Sequence, residues 1–207
     1  MDVAHPYTVI TPGVEGAVLV VLAGTTAPMT GRQIARLAAR GTSPSVSAAL
    51  DRLVEHGLVH RQVAGRAYLH TLNRDHVAAP AVEALVGLRA ELLRRLRDAL
   101  AEWDPAPLHA SMFGSAARAD GDTSSDIDLL VIRQQSVDEE DVRWRDQLHA
   151  LAGSVYAWTG NHAGISELGE AEFAKLRRKP PPVLTDVRSD GIDLAGVQVR
   201  ALLKGKS

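Results

Sequence analysis

Two aspartates one residue apart, Asp126 and Asp128, open the apolar run Ile127–Ile132. Side chains alternate along a strand, so this spacing sends both carboxylates to one face at the strand's start. Carboxylates held that close repel unless a cation sits between them, and a hard divalent ion such as Mg²⁺ takes oxygen ligands of this kind. Upstream, the apolar run Leu108–Phe113 is broken by Gly114-Ser115. A Gly-Ser turn opening a helix aims backbone N–H groups and a hydroxyl at one point, which suits phosphate. Glycine at 114 lets the backbone approach closely. A phosphate cradle beside a paired-carboxylate cation site points to metal-assisted phosphoryl or nucleotidyl transfer.

The elements that must hold these groups can be read from the same stretch. Residues 108–113 are short and apolar enough for a buried strand. Ala116, Ala117, Arg118 and Ala119 favour a turn of helix. Asp120–Ser125 is turn chemistry, and 127–132 is the second strand. The run GSAARADGDTSSDIDLLV resembles the signature of the polymerase-β-like nucleotidyltransferases, most closely their small, "minimal" bacterial members, including Arg118 and the Ser125–Leu129 run. That resemblance implies Mg²⁺-dependent transfer of a nucleoside monophosphate from a nucleoside triphosphate to a hydroxyl acceptor. It assigns nucleotide binding to Gly114, Ser115 and Arg118, and the metal to Asp126 and Asp128.

Enzymes of this family usually carry a third acid on the next core strand. Here that strand is expected at 162–168, and its one acid is Glu167. The catalytic and metal-ligating set implied is therefore Asp126, Asp128 and Glu167, with Glu167 either the third ligand and base or a surface glutamate before a helix. Glu170, Asp186 and Asp193 are worse placed by order along the chain. His109 and His162, on expected strands, read as satisfied, partly buried histidines. Trp103, Trp144 and Trp158 read as core.

The N-terminal third has a different pattern. Helices are expected at 13–24, 30–40 and 43–56, followed by strands at 58–63 and 66–72 joined through Ala64-Gly65. Thr30 is the expected cap of the second helix, whose apolar face is Ile34, Leu37 and Ala38. Ser43 is the expected cap of the third, with Pro44 at its first helical position. Helix, helix, helix, hairpin resembles the winged helix-turn-helix domains of bacterial regulators. Residues 30–74 carry seven arginines against Asp51 and Glu55, a local net of +5 that suits phosphate contacts. The resemblance implies duplex DNA as a partner, with Ser43, Ser45, Ser47, Arg52, Arg61 and Arg66 as contacts; a protein-contact role for the same domain stays open. Residues 76–103 have helical periodicity, with Pro80 in the first turn, and form a connector whose apolar face could meet a second copy.

The expected fold class is α/β in the α+β sense: a winged helix over 1–75, a connecting helix over 76–103, and a nucleotidyltransferase fold over 104–207 with a small mixed sheet flanked by helices. A mostly helical stretch at 136–160, a short helix at 171–178 and helical pieces at 183–191 and 197–205, around the segment 192–196, complete it. The chain has 207 residues, 45% hydrophobic, a net charge of −2 and no cysteine. Disulfides and thiolate chemistry are excluded, and any nucleic-acid binding must come from a local patch. No signal peptide or membrane-length apolar run is seen, so a cytoplasmic protein with no membrane partner is expected. A rival reading is a transcriptional regulator, toxin–antitoxin or defence related, whose second domain senses nucleotide without turning it over.

Overall fold

The computed structural model describes residues 1–204. The chain divides into two compact units, one of His5–Arg89 and one joining Met1–Ala4 to the chain from Ala90 onward. Helices and two small sheets alternate through both, so the fold is of the expected α+β class.

The first unit contains α1 (Val14–Ala23), β1 (Met29–Thr30), α2 (Gly31–Leu37), α3 (Ser43–Glu55), β2 (Val59–Ala64) and β3 (Ala67–Leu72). Its strands are antiparallel in the order β1-β3-β2. Thr30 caps α2 in a capping box with Gln33. The helix ends at Leu37, short of Arg40, because Ala38 turns extended and Gly41, at φ +104°, closes the turn into α3. Leu37 is consequently 61% exposed, not part of an apolar face. The α3 cap is Thr42, one residue before the expected Ser43, and it pairs with Ser45 in a second capping box. The hairpin corner is Gly65-Arg66, with Ala64 opposite Ala67 and Gly65 at φ +60°. Val18, Leu22, Ile34, Val46, Leu50, Leu53, Val59 and Leu72 form this unit's core.

Helix α4 (Ala79–Ala101) has Pro80 at its first turn, where a missing N–H costs nothing. On its exposed face Glu91 accepts from Arg94 and Arg95, each at 2.7 Å, and these guanidiniums hold its carboxyl down at about 2.

The second unit continues with β4 (His109–Phe113), α5 (Gly114–Arg118), β5 (Ile127–Arg133), α6 (Val142–Thr159), β6 (Ala163–Gly169), α7 (Glu170–Leu176), α8 (Pro182–Asp190), β7 (Ile192–Gly196) and α9 (Val199–Lys204). The sheet order is β6-β5-β4-β7. β5 and β6 run parallel; the other pairs are antiparallel. β7 was not expected from the sequence as a strand. Its five residues are too short to show a period, and only pairing with β4 defines it. Gly205, the end of the last expected helical piece, lies outside the described residues.

Strand alternation divides the sheet's two faces. Ile127, Leu129 and Val131 pack with Leu92, Leu96, Leu100, Trp144, Leu151 and Val155 of α4 and α6. Leu130 and Ile132 pack with Phe173, Leu184, Val187 and Val199 of α7, α8 and α9. Within the sheet His109 is fully buried and donates from Nδ1 to Val197 O at 2.8 Å, leaving Nε2 to accept from Ser111 Oγ at 2.9 Å. Burial holds this imidazole below its ordinary value, so it stays neutral.

Candidate active site

β4 delivers the Gly-Ser turn and β5 delivers the aspartates, and the two strands are paired so that Phe113 lies opposite Asp128. Gly114 follows at once, at φ +66°. A Cβ at this position would lie 2.5 Å from Asp128 Oδ2. Glycine is thus required both by the left-handed backbone and by the carboxylate against it. The Gly-Ser turn and the aspartate pair form one packed unit.

Asp126 precedes β5 and is exposed, while Asp128 is half-buried. Both side chains leave the backbone near one point on the neighbouring strand: a Cβ at Gly164 would lie 3.0 Å from Asp128 Oδ1 and 3.9 Å from Asp126 Cβ. Burial, and then the negative charge of Asp126, push the Asp128 carboxyl above its ordinary range, against a smaller downward pull from Arg118. The pair therefore has an unmet demand for positive charge. Asp126 and Asp128 could hold a hard divalent cation that takes its remaining ligands from phosphate oxygens and water. Among the described residues, no third histidine, aspartate or glutamate joins them in a metal-binding group.

The other expected residues fall as follows. Ser115 is half-buried, and a Cβ at Gly121 would come 2.8 Å from its Oγ, so Gly121 leaves the hydroxyl room. Arg118 is exposed and donates to Asp120 at 2.9 Å and Asp190 at 3.4 Å, which raise its already high pKa. The connecting loop is ordered by Asp122, which accepts from Ser124 N at 2.8 Å, Ser124 Oγ at 2.7 Å and Ser125 Oγ at 3.1 Å.

Glu167 does not join the aspartates. It stands opposite Val131 in the parallel β5–β6 register, an odd number of residues from Asp128, and so faces α6 on the other side of the sheet. There Oε1 accepts from Trp144 Nε1 at 2.8 Å and Arg133 Nε at 3.0 Å. The β6 residue beside Asp128 is Gly164, which has no side chain to offer. The expectation of a third carboxylate from this strand is therefore corrected: the acid is present in sequence but falls on the wrong face. Glu167→Gln is expected to leave triphosphate affinity within twofold. Exchanging a charged for a neutral acceptor beneath Arg133 should cost stability of about 1–3 kcal/mol. Calorimetric titration and urea denaturation read the two effects separately.

Sequence reasoning missed three residues that build the site. Gly121 and Gly164 are clearance positions, visible only once their neighbours are known. Asn161, 4% exposed, donates from Nδ2 to Ser125 O at 2.8 Å and Thr123 O at 3.5 Å, tying the loop before Asp126 to the start of β6. His162, expected partly buried on a strand, instead precedes β6 and is exposed.

The six residues expected to meet DNA lie in the first unit. Ser43 and Ser47 are exposed on α3, and Arg66 is exposed at the hairpin corner. Ser45 is half-buried and occupied by the α3 cap, accepting from Thr42 N at 2.8 Å and donating to Thr42 O at 2.9 Å. Arg52 is ion-paired with Glu15. Arg61 pairs with Asp51 at 2.7 Å and lies over the Tyr68 ring at 5.0 Å.

One comparison bears directly on the second unit. Residues 93–180 match the family model of the nucleotidyltransferase domain. The matched span holds the Gly114–Ser115 turn, both aspartates and the whole β5–β6 pair. No curated protein and no solved structure matches the chain. No helix among the described residues is long and apolar enough to cross a membrane.

Proposed function

We propose that the nucleotidyltransferase domain binds a nucleoside triphosphate with Mg²⁺ and transfers its nucleoside monophosphate to a hydroxyl acceptor. The observation that carries this reading is the approach of the Asp128 carboxylate to Gly114, where a Cβ would lie 2.5 Å from Oδ2, so that a phosphate cradle and a cation site stand side by side. Ser115 Oγ and the N–H groups of the turn would hold the distal phosphates. Asp126 and Asp128 would hold the ion. Bound there, Mg²⁺ supplies neutralisation of the charge that develops on the phosphates. The acceptor oxygen bonds to the α-phosphorus, the bond to the β-phosphate bridge breaks, and pyrophosphate leaves. The acceptor proton goes to solvent, because β6 presents Gly164 and not a carboxylate at this point.

That same glycine favours a second reading, in which the domain senses the triphosphate without turning it over. One experiment separates them. The full chain is incubated with each α-labelled triphosphate and Mg²⁺, with and without cell lysate. Label appearing in a new product supports transfer. Saturable binding with no product and no pyrophosphate supports sensing.

The His5–Arg89 unit is read as a winged helix that binds duplex DNA. Support comes from the order of three helices and a hairpin, the exposed Ser43 and Ser47 at the start of α3, and Arg66 at the hairpin tip. Arg66 has the most direct access to a phosphate, whereas Arg52 and Arg61 would first have to leave Glu15 and Asp51. Arg66→Ala in the full chain is expected to weaken binding to all duplexes alike and to reduce the slope of log K against log salt by about 0.9. Fluorescence anisotropy across a salt series measures it; an unchanged slope removes Arg66 from the interface.

A further inference from the structure

The end of α6 and the start of β6 present a feature that the transfer chemistry does not use. Tyr156, in the last turn of α6, is 54% exposed despite its large apolar ring. The exposed His162 stacks on it, with ring centroids 5.1 Å apart and planes inclined by 28°. Two flat rings stacked in solvent are an unusual use of aromatic surface, which most often lies in a core or an interface.

Their backbone is held firmly. Gly160, at φ +72°, ends α6 with its N–H on Tyr156 O at 2.8 Å. Asn161 is pinned to Ser125 O. Ile127 N then donates to His162 O at 2.8 Å. Ile127 is paired with Ala163, so one step back along both strands sets His162 beside Asp126. The Gly114–Ser115 turn lies on the β4 side of β5, and His162 lies on the β6 side. Neighbouring strands are about 4.8 Å apart, so the backbones of the turn and of His162 flank β5 across roughly 10 Å.

We propose that Tyr156 and His162 form the stacking ledge for the nucleobase of the bound triphosphate. The assignment rests on the triphosphate reading above. It runs the ligand across three strands: distal phosphates on the Gly-Ser turn at β4, α-phosphate at the aspartates of β5, base on the ledge at β6. Stacking tolerates any base but rewards ring area, so purine triphosphates bind more tightly than pyrimidine ones.

The test uses the full chain, Mg²⁺ and calorimetric titration with ATP, UTP and inorganic tripolyphosphate. The expected result is that ATP binds about tenfold more tightly than tripolyphosphate, with UTP between them, and that Tyr156→Ala removes that advantage while leaving tripolyphosphate unchanged. Tyr156→Phe should keep it. Tyr156 is exposed, so the alanine chain should fold; His162→Ala gives an independent second reading with the same expected loss. Equal affinity of the wild type for ATP and tripolyphosphate overturns the ledge and leaves the phosphate site standing. So does an unchanged ATP affinity in both alanine variants. A single-stranded oligonucleotide without a triphosphate that binds the wild type and is lost in Tyr156→Ala, with ATP unaffected, overturns the assignment by giving the ledge to an acceptor strand. A wild type that binds neither ATP nor tripolyphosphate overturns the triphosphate reading itself, and the ledge with it.

Discussion

Replacing both Asp126 and Asp128 by asparagine is expected to abolish Mg²⁺-dependent triphosphate binding and, in the absence of ligand, to raise the melting temperature. The two effects have one origin. The folded chain holds the Asp128 carboxyl above its ordinary value, through burial first and the charge of Asp126 second. A raised carboxyl contributes stability that is present at acid pH and lost as pH rises through its folded value. Once pH has risen past that folded value, the half-buried Asp128 charge is carried at full cost. Asparagine keeps the shape and removes it. A gain of about 1 kcal/mol would shift a chain of this size by roughly 2–4 °C. The gain should shrink at acid pH, where wild-type Asp128 is itself protonated. Added triphosphate and Mg²⁺ should stabilise the wild type by mass action and leave the variant unmoved. Melting curves with chelator, and with ligand, at neutral and acid pH test all of this. A variant that melts lower, or that still responds to ligand, would remove the aspartates from the site.

Gly114→Ala is expected to be the most damaging single methyl group that can be added near the site. Two costs add. An alanine at φ +66° pays about 1–2 kcal/mol for the left-handed backbone. The new Cβ would lie 2.5 Å from Asp128 Oδ2, so the carboxylate must swing away, for roughly another 1–3 kcal/mol. The swing also changes its position relative to Asp126, so triphosphate binding should fall with stability. Urea denaturation should show a lower midpoint at unchanged slope. The backbone cost is local but the steric cost belongs to the pair. In an Asp128→Ala background the same glycine change should therefore be cheaper, and a double-mutant cycle isolates the difference. Strict additivity would mean that the turn and the aspartates are not packed on each other.

The legible parts of this chain were those set by short-range rules. Gly114-Ser115 and Asp126-x-Asp128 announce themselves because turn formation and strand alternation act over two or three residues. The helices were found wherever caps and glycines bound them, although the true α3 cap, Thr42, sits beside an equally good Ser43. Local signals misplaced the end of α2 and the hairpin corner, but the errors that matter to the site came from long-range geometry. Glu167 has the right residue type on the right strand, and only the parallel register with Val131 sends it to the other face. That register is one residue from the opposite answer, and no local signal fixes it. Segment 192–196 became a strand because β4 offered it an edge, which again is a fact about a partner. Gly121, Gly164 and Asn161 have roles that exist only between segments distant in sequence.

Strand order also bears on synthesis. β4 leads directly into Gly114, and all five of its residues are buried. One of its two neighbours, β5, follows closely in the chain, but the other, β7, ends at Gly196. A ribosome releases residues in sequence, so for most of the domain's translation this apolar strand has one edge satisfied and one open. Open apolar edges recruit other chains. A product halted after β5 but before Ile192 would carry the complete Gly-Ser and aspartate signature and still be a poor candidate for solubility. The signature's segment is thus not the smallest piece of this chain that can be expected to survive alone: the last strand is needed to shelter it.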